Sequence, residues 1–278
     1  MNGTESSLIS GKSWQRLIRE AKCKTAAKEN LFGPWWNDVN VNLDVATIKP
    51  ISFETAKSLI VEYEWLGNMG TTEFAYGLFC DGNLAGAACF GRTAGTGVYA
   101  SIAGPEIAPR VITLCRGACA HWAHPHAASF LINRACDAMR AAHGYRIFIA
   151  YSDPQAGEIG TVYQASGWMY CGMTTATEKF RTPDGKVRDG RLVSAYTRDR
   201  RGGTLRYKRT RSEQKQIMQS AGVEFFKGTA KHRYALVLGT HKEKKFLLGK
   251  WLWPNLPYPK RKCPVVDSIR VEVEKHDI

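Results

Sequence analysis

The order in which strands and helices are predicted along the chain limits its possible folds more than any other feature. A hairpin comes early, because the apolar runs Phe74–Cys80 and Leu84–Phe90 are separated by Asp81-Gly82-Asn83, which is typical of a tight turn between antiparallel strands. One strand and one helix precede this hairpin within the core, and strands and helices alternate after it. An early antiparallel pair argues against a doubly wound sheet of simple βαβ repeats. The order therefore predicts an α/β (α+β) fold with a mixed sheet.

Apolar spacing and end signals locate the other elements of this fold. Helices are predicted at Ser13–Lys28, at Thr55–Leu66 after the capping residue Ser52, at Ala127–Ala142 before Gly144, at Thr161–Ser166 and at Ser212–Ala221. Further strands are predicted at Val45–Ile51, Val111–Cys115, Tyr145–Tyr151, Trp168–Gly172, Arg191–Tyr196 and Arg233–Leu238.

Composition excludes several classes of protein. The 278 residues are 44% hydrophobic, which is enough for a core and excludes a wholly disordered chain. No apolar run approaches the roughly 18 residues of a membrane span, and the first residues are too polar for a signal peptide. The eight cysteines are scattered without a CxxC pair, as expected of reduced thiols. We therefore expect a soluble cytoplasmic protein with no membrane association.

The positive charge is concentrated in one part of the chain. Residues 1–180 contain 15 Lys/Arg and 15 Asp/Glu, residues 181–262 contain 22 and 6, and the last sixteen contain 2 and 4. We divide the chain accordingly into an N-terminal helix and loop (1–44), a catalytic core (45–200), a basic extension packed on the core (201–262) and a tail (263–278). A net charge of +16 over 181–262 attracts polyanions, of which nucleic acids are the commonest in cells.

Aromatic residues lie among the cations of the basic extension. Trp251, Trp253 and Tyr258 could stack on bases while neighbouring cations bind phosphates. The alternative is that the rings pack on the core and the cations only face water. We predict nucleic-acid contacts from eight side chains of this segment: Arg206, Lys208, Arg209, Arg211, Lys231, Arg233, Lys260 and Arg261.

A polar stretch directly after a buried strand is the richest source of candidate catalytic groups. Tyr151–Trp168 reads YSDPQAGEIGTVYQASGW, and polar groups at the carboxyl end of a central strand are often ligand sites. Tyr163, on the short helix after this strand, could protonate a leaving group or hold an oxyanion. The alternative is a buried tyrosine with one satisfied hydroxyl. Asp153-Pro154 could likewise be a plain turn.

The element order, with Tyr-x-x-x-Gly-aromatic after the fifth strand, resembles the GNAT acyltransferase superfamily. More narrowly, YSDPQAGEIGTVYQASGWMYCG (Tyr151–Gly172) is similar to the phage Mom-like adenine-modification proteins. Five other segments are similar to the same family: YEWLGNM (Tyr63–Met69), GLF (Gly77–Phe79), AASFLINRA (Ala127–Ala135), KHRYAL (Lys231–Leu236) and LPYPKR (Leu256–Arg261). The resemblance covers roughly residues 45–262.

This resemblance implies a GNAT-like core that modifies the exocyclic N6 amine of adenine in phage double-stranded DNA and so protects it from restriction. The implied product carries a carbamoylmethyl-type group, and the donor is either an acyl-CoA or an aminoacyl carrier such as aminoacyl-tRNA. The implied roles are stacking of the flipped base by Tyr151, orientation by Ser152, acceptance from the amine by Asp153 and leaving-group assistance by Tyr163.

The donor site departs from the common GNAT pattern. Ala120–Ser129 reads AHWAHPHAAS in place of a glycine-rich phosphate loop, so Arg116, Ser129 and the adjacent Phe130 are the donor-binding candidates. His121, His124 and His126, with Glu64, are weak metal candidates, because H-x2-H-x-H interrupted by proline is not a standard ligand spacing. We predict no metal.

Two other functions agree with the same residues. One is a GNAT N-acetyltransferase that acts on a small amine or a protein and needs no basic segment. The other is a non-catalytic nucleic-acid-binding protein. The oligomeric state, the target sequence and the choice between DNA and RNA as acceptor are left open by the residues.

Overall fold

Ten strands lie within the residues that the computed structural model describes, which are 12–29, 35–93, 97–185, 187–193 and 210–261. They are β1 (Thr47–Pro50), β2 (Phe74–Cys80), β3 (Asn83–Gly91), β4 (Val111–Cys119), β5 (Ile147–Ser152), β6 (Met169–Met173), β7 (Glu178–Arg181), β8 (Val187–Asp189), β9 (Glu224–Lys227) and β10 (His232–Val237). Seven form a mixed sheet in the order β1-β2-β3-β4-β5-β10-β6, and three form an antiparallel sheet in the order β8-β7-β9. The mixed α/β fold predicted from the element order is confirmed.

Helices cover both faces of the seven-stranded sheet. Those in the described ranges are α1 (Trp14–Glu29), α2 (Phe53–Tyr63), α3 (Ala100–Ala103), α4 (Ala127–His143), α5 (Thr161–Ala165), α6 (Arg211–Ser220) and α7 (His241–Gly249). Phe90, Phe148 and Trp168 are fully buried on the side of α4, and Ile60 of α2 is buried on the opposite side. None of these helices is both long and apolar enough to cross a membrane.

Local signals act as the sequence predicts. Asp81 (φ 46°) and Gly82 (φ 77°) join β2 to β3, as a turn that matches the twist of the two strands requires. The Ser52 side chain accepts from the Thr55 N–H and caps α2, and Gly144 ends α4 in the left-handed region. The seven described cysteines have free thiols.

The parallel strands β4 and β5 separate at their carboxyl ends. Their pairing begins at Val111 with Ile147 and ends at Leu114 with Ala150. Beyond this point β4 continues to Cys119 beside β3, and β5 continues to Ser152 beside β10. The gap between the diverging ends is the kind of position where ligands bind in α/β sheets.

The basic C-terminal region is not a separate layer added to a finished core. β10 pairs antiparallel with both β5 and β6, and Tyr234 and Ala235 in it are fully buried. The predicted extension therefore contributes a central strand, which differs from the division proposed at residue 200. The physical reason is that β5 and β6 do not pair directly, so β10 supplies the hydrogen bonds that both strands need.

The small sheet has its own apolar cluster. Phe180 and Val193 pack there with Met218 of α6 and Val223. The strand predicted at Arg191–Tyr196 is not found in the described part, because 190–192 form a 3-10 turn and residues after 193 lie outside it.

Candidate functional site

A cavity of about 1950 Å³ opens where β4 and β5 separate. Its floor is the carboxyl ends of the two strands, and the loop from β5 to α5 forms one side. Helix α1, the loop after α2 and the small sheet form the remaining walls. All four predicted catalytic residues meet here, because all of them end or follow the same strand. Tyr151, Ser152, Asp153 and Tyr163 all line the cavity.

Asp153 is held in one orientation by two partners. Its Oδ1 accepts from the Gln155 N–H at 3.0 Å, which caps a 3-10 turn at Pro154–Ala156. Its Oδ2 lies 3.1 Å from the Lys231 Nζ, and only 10% of the Asp153 side chain is exposed. Asp153-Pro154 therefore forms a turn and also places a carboxyl group, paired with Lys231, on the cavity wall.

Tyr151 lies at the base of the cavity and is half-buried. Burial raises the pKa of its hydroxyl to about 12, so the hydroxyl is neutral at physiological pH. Arg233 lies opposite Tyr151 in the β5–β10 register. Its guanidinium stacks on Trp253 at 4.4 Å, and its Nη2 donates to the Cys171 carbonyl at 2.9 Å. Arg233 is thus an internal packing residue, and the prediction that it contacts nucleic acid is not supported by this position.

Tyr163 is positioned by a glycine. Gly160 (φ 77°) precedes α5, and a Cβ there would lie 2.2 Å from the Tyr234 ring. The Tyr163 ring packs between Trp168 at 5.1 Å and Tyr234 at 5.3 Å. Its hydroxyl has no hydrogen bond to any group in the described ranges, although the predicted alternative was a satisfied hydroxyl. Burial, and then the charge of Glu158, raise its pKa well above the usual value.

Glu158 is a cavity residue that sequence reasoning missed. Hydrogen bonding from Ser13 and Gln15, at the start of α1, lowers the pKa of its carboxyl group. Burial raises its pKa, and these hydrogen bonds oppose that change only in part. The one available signal was its place in the polar stretch after β5, because the contact with α1 joins segments more than a hundred residues apart.

The donor-binding candidates do not come together. Arg116 lines the cavity, where its Nε donates to the Asn68 carbonyl at 2.6 Å and its Nη2 to Asn68 Oδ1 at 2.7 Å. Ser129 instead donates to the His126 carbonyl at 3.0 Å, and Phe130 lies on an outer groove with the Arg134 guanidinium 5.5 Å from its ring. The helical repeat explains this difference, because one face of α4 carries the cavity residues Ala128, Leu131 and Ile132.

Glu64 and the histidines have structural partners. Burial raises the pKa of Glu64, and Arg116, with its Nε 3.7 Å from Glu64 Oε2, opposes this change. His121 Nδ1 is 2.6 Å from the Tyr63 hydroxyl, and His124 Nδ1 accepts from the His126 N–H at 3.1 Å. The described residues contain no group of three His, Cys, Asp or Glu that could hold a metal ion.

The predicted nucleic-acid contacts divide into three groups. Arg211 is paired with Glu178 at 3.0 Å, while Lys231 pairs with Asp153. Lys260 is exposed, and Arg261 lies on the cavity wall. The remaining predictions lie outside the described residues: Arg206, Lys208 and Arg209.

The aromatic residues among these cations bond to the protein's own groups, with Trp253 buried and Tyr258 exposed. The Trp253 Nε1 donates to Ser101 Oγ at 3.1 Å, and the Tyr258 hydroxyl donates to the Trp168 carbonyl at 2.8 Å. Other cations line the cavity from two elements. They are Arg16, Arg19 and Lys24 of α1, and Lys179, Arg181 and Arg188 of the small sheet.

Comparison with known proteins gives a family and a set of distant structural likenesses. The sequence model of the Mom protein family matches residues 45–260. No curated protein matches the sequence. Among solved structures, the chain is similar to an acetyltransferase from Bacillus subtilis in complex with CoA, with 11% identity over 70% of this chain and 98% of that one and a TM-score of 0.37.

Two further likenesses are of the same kind. An N-acetyltransferase from Staphylococcus aureus is 15% identical over 70% of this chain and 99% of its own, with a TM-score of 0.38. A GNAT family acetyltransferase from Elizabethkingia anophelis with acetyl-CoA bound is 10% identical over 70% and 99%, with a TM-score of 0.36. These likenesses are too distant to transfer chemistry from one protein to another.

Proposed function

Because the chain belongs to the Mom protein family, we propose that it is a transferase that modifies the exocyclic N6 amine of adenine in double-stranded DNA and so protects phage DNA from restriction. The transferred group is of the acyl or carbamoylmethyl type. The observation that carries the proposal is the convergence of Tyr151, Asp153 and Tyr163 on one large cavity with basic walls.

The cavity has the size and the groups that an extruded base needs. Pockets for small ligands measure about 300–1,000 Å³, so about 1950 Å³ can hold a flipped nucleotide together with a donor. Asp153, paired with Lys231, can accept one N–H of the adenine amine. Tyr151 offers a neutral aromatic ring at the cavity base, on which the purine can stack.

Tyr163 is suited to donate a proton to the leaving group. Its raised pKa keeps the hydroxyl protonated at working pH, and no described side chain competes for that proton. A proton donor is needed because the leaving atom of an activated donor departs with a negative charge. The polar positions expected of a phage adenine-modification enzyme are thereby filled by this chain's own residues.

Duplex DNA would lie between the two basic walls. Arg188 on the small sheet and Lys24 on α1 are exposed cations of the cavity walls, whereas Arg181 and Arg16 are each paired with a glutamate. Such contacts bind phosphates without reading sequence and orient the duplex over the cavity.

The donor is an activated acyl carrier, either an acyl-CoA or an aminoacyl carrier such as aminoacyl-tRNA. Both carry phosphates, and helix N-termini bind phosphates through free N–H groups. Helix α4 begins beside Pro125 and Ala128 on the cavity wall, and no side chain caps it. Arg116 adds a cation on the same wall.

The test is the chemical state of adenine in DNA. The chain is expressed in a bacterium, plasmid DNA is digested to nucleosides, and mass spectrometry is used to look for a heavier deoxyadenosine. We expect the new species with wild type and with Tyr145→Phe, a core tyrosine outside the cavity, and its loss with Tyr163→Phe. Unmodified adenine with folded protein, together with acetylation of a small amine or a protein, would support the N-acetyltransferase alternative. Salt-sensitive DNA binding without any product would support the binding-protein alternative.

A further inference from the structure

Four described carboxylates line the cavity, and three of them are neutralised by cations. Glu20 of α1 pairs with Arg16 of the same helix and with Lys12, which precedes it. Asp153 pairs with Lys231 at 3.1 Å, and Glu64 lies 3.7 Å from Arg116. The fourth is Glu158, which has no cation of the described residues within ion-pair distance. Glu158 is therefore the described cavity carboxylate that no cation pairs with.

The backbone after β5 turns back, so that Glu158 follows Asp153 closely on the cavity wall. The N–H groups of Ala156 and Glu158 both donate to the Asp153 carbonyl, at 3.0 and 3.2 Å. Glu158 raises the pKa of Tyr163, the proposed proton donor, more than any other carboxylate does. Asp153, Glu158 and Tyr163 all line the cavity.

We infer that Glu158 is the catalytic base, which takes the proton that the adenine amine releases. This inference rests on the proposed function. As the bond forms between N6 and the reacting carbon of the activated donor, the bond from that carbon to the leaving atom breaks. The N6 proton passes to the Glu158 carboxylate, and the leaving atom takes the Tyr163 proton. Glu158 then returns its proton to the Tyr163 phenolate, so both residues regain their starting states.

The two amine protons thus have different partners. One is held in a hydrogen bond by Asp153, and the other is removed by Glu158. Ser13 and Gln15, at the start of α1, favour the charged form of Glu158. Family matching begins at residue 45, so α1 supplies this support from outside the matched region.

The groups that face Glu158 determine its pH behaviour. Arg261, in the C-terminal segment, favours the charged form of Glu158. Glu64, in the loop after α2, disfavours that form. Tyr163 faces it from α5, and the α1 donors favour the carboxylate. Burial outweighs these effects, so the carboxyl pKa lies above its usual value. Activity should therefore fall with decreasing pH as this carboxylate becomes protonated.

The test compares Glu158→Gln with Glu54→Gln, an exposed glutamate of α2 outside the cavity. Purified protein is incubated with duplex plasmid DNA, acetyl-CoA, charged tRNA and bacterial extract, and modified deoxyadenosine is measured from pH 5 to 9, a range of about four units around neutrality. We expect Glu158→Gln to lower the rate about 100-fold or more, to remove the acidic fall in rate, and to leave DNA affinity and unfolding temperature near wild type.

Two results with Glu158→Gln would overturn the inference. A rate close to wild type would exclude a base at this position. A reduced rate that keeps the acidic fall would make Glu158 a positioning residue. If Glu158→Gln does not fold, Glu158→Asp is compared instead: we expect a lower rate and a shifted midpoint of the acidic fall, and a wild-type rate with an unshifted midpoint would overturn the inference. If wild type forms no product, the proposed function fails as well, so the two failures are distinguishable.

Discussion

Lys231 provides the sharpest contrast between charge counted in the sequence and charge placed by the structure. The sequence predicts a phosphate contact, whereas the structure puts its Nζ 3.1 Å from Asp153 Oδ2. A hydrogen bond between charged groups contributes about 1.5–3 kcal/mol, and the 34% exposure of the Lys231 side chain favours the lower end. Lys231→Met should therefore destabilise the protein by about 1.5 kcal/mol, which corresponds to roughly 3–6 °C in Tm.

The assay is a double-mutant cycle with Asp153→Asn, measured by urea unfolding. We expect the Lys231→Met penalty to shrink by about 1 kcal/mol in the Asp153→Asn background, because the partner charge is already gone. Equal penalties in both backgrounds would refute the pairing. Salt titration of DNA binding gives a second criterion. A phosphate contact would reduce the slope of log affinity against log salt by about 1, and we expect no such change.

Three further predictions test separate parts of the molecule. Gly160→Ala should destabilise the protein by about 2 kcal/mol or more in urea, because its φ is 77° and an added Cβ would lie 2.2 Å from a buried tyrosine ring; an unchanged midpoint would contradict this geometry. Arg188→Ala should weaken DNA binding and reduce its salt slope by about 1, whereas an unchanged slope would remove the small sheet from the DNA surface. Hydrogen bonds lower the pKa of Glu243 from 4.5 to about 2, and the bond from the Thr240 N–H has the largest effect. A carboxyl group whose pKa is lower in the folded protein stabilises the fold at pH values above its pKa in the unfolded chain. Glu243→Gln should therefore lower Tm at pH 7, and the difference in Tm from wild type should disappear as pH falls from 4.5 toward 2.

The predictable part of the fold is the part encoded by neighbours in sequence. Asp81-Gly82 specifies a turn, Ser52 caps a helix and Gly144 ends one, and each acts through groups within a few residues. The sequence predicts β10 as a strand, but it does not predict that β10 pairs with β5 and β6. Pairing partners depend on which open edges remain when the rest of the sheet has formed, and no local pattern contains that information.

The site divides in the same way. Asp153 and Tyr163 were predicted together because they follow one strand, and the structure brings them to one cavity. Glu158 lies between them in sequence but gains its importance from contact with Ser13. The cations are the clearest failure, because counting charges cannot distinguish Arg211, which pairs with Glu178, from exposed Lys260.

The position of β10 also has a consequence for how the chain folds during synthesis. β5 and β6 are complete by residue 173, yet the strand that joins them ends at residue 237. Until the ribosome has released that strand, β5 and β6 present open edges that can pair with other chains. We therefore expect fragments that stop near residue 200 to aggregate. Pairing of β10 with β5 and β6 is then a late folding step that completes the sheet and the proposed catalytic cavity together.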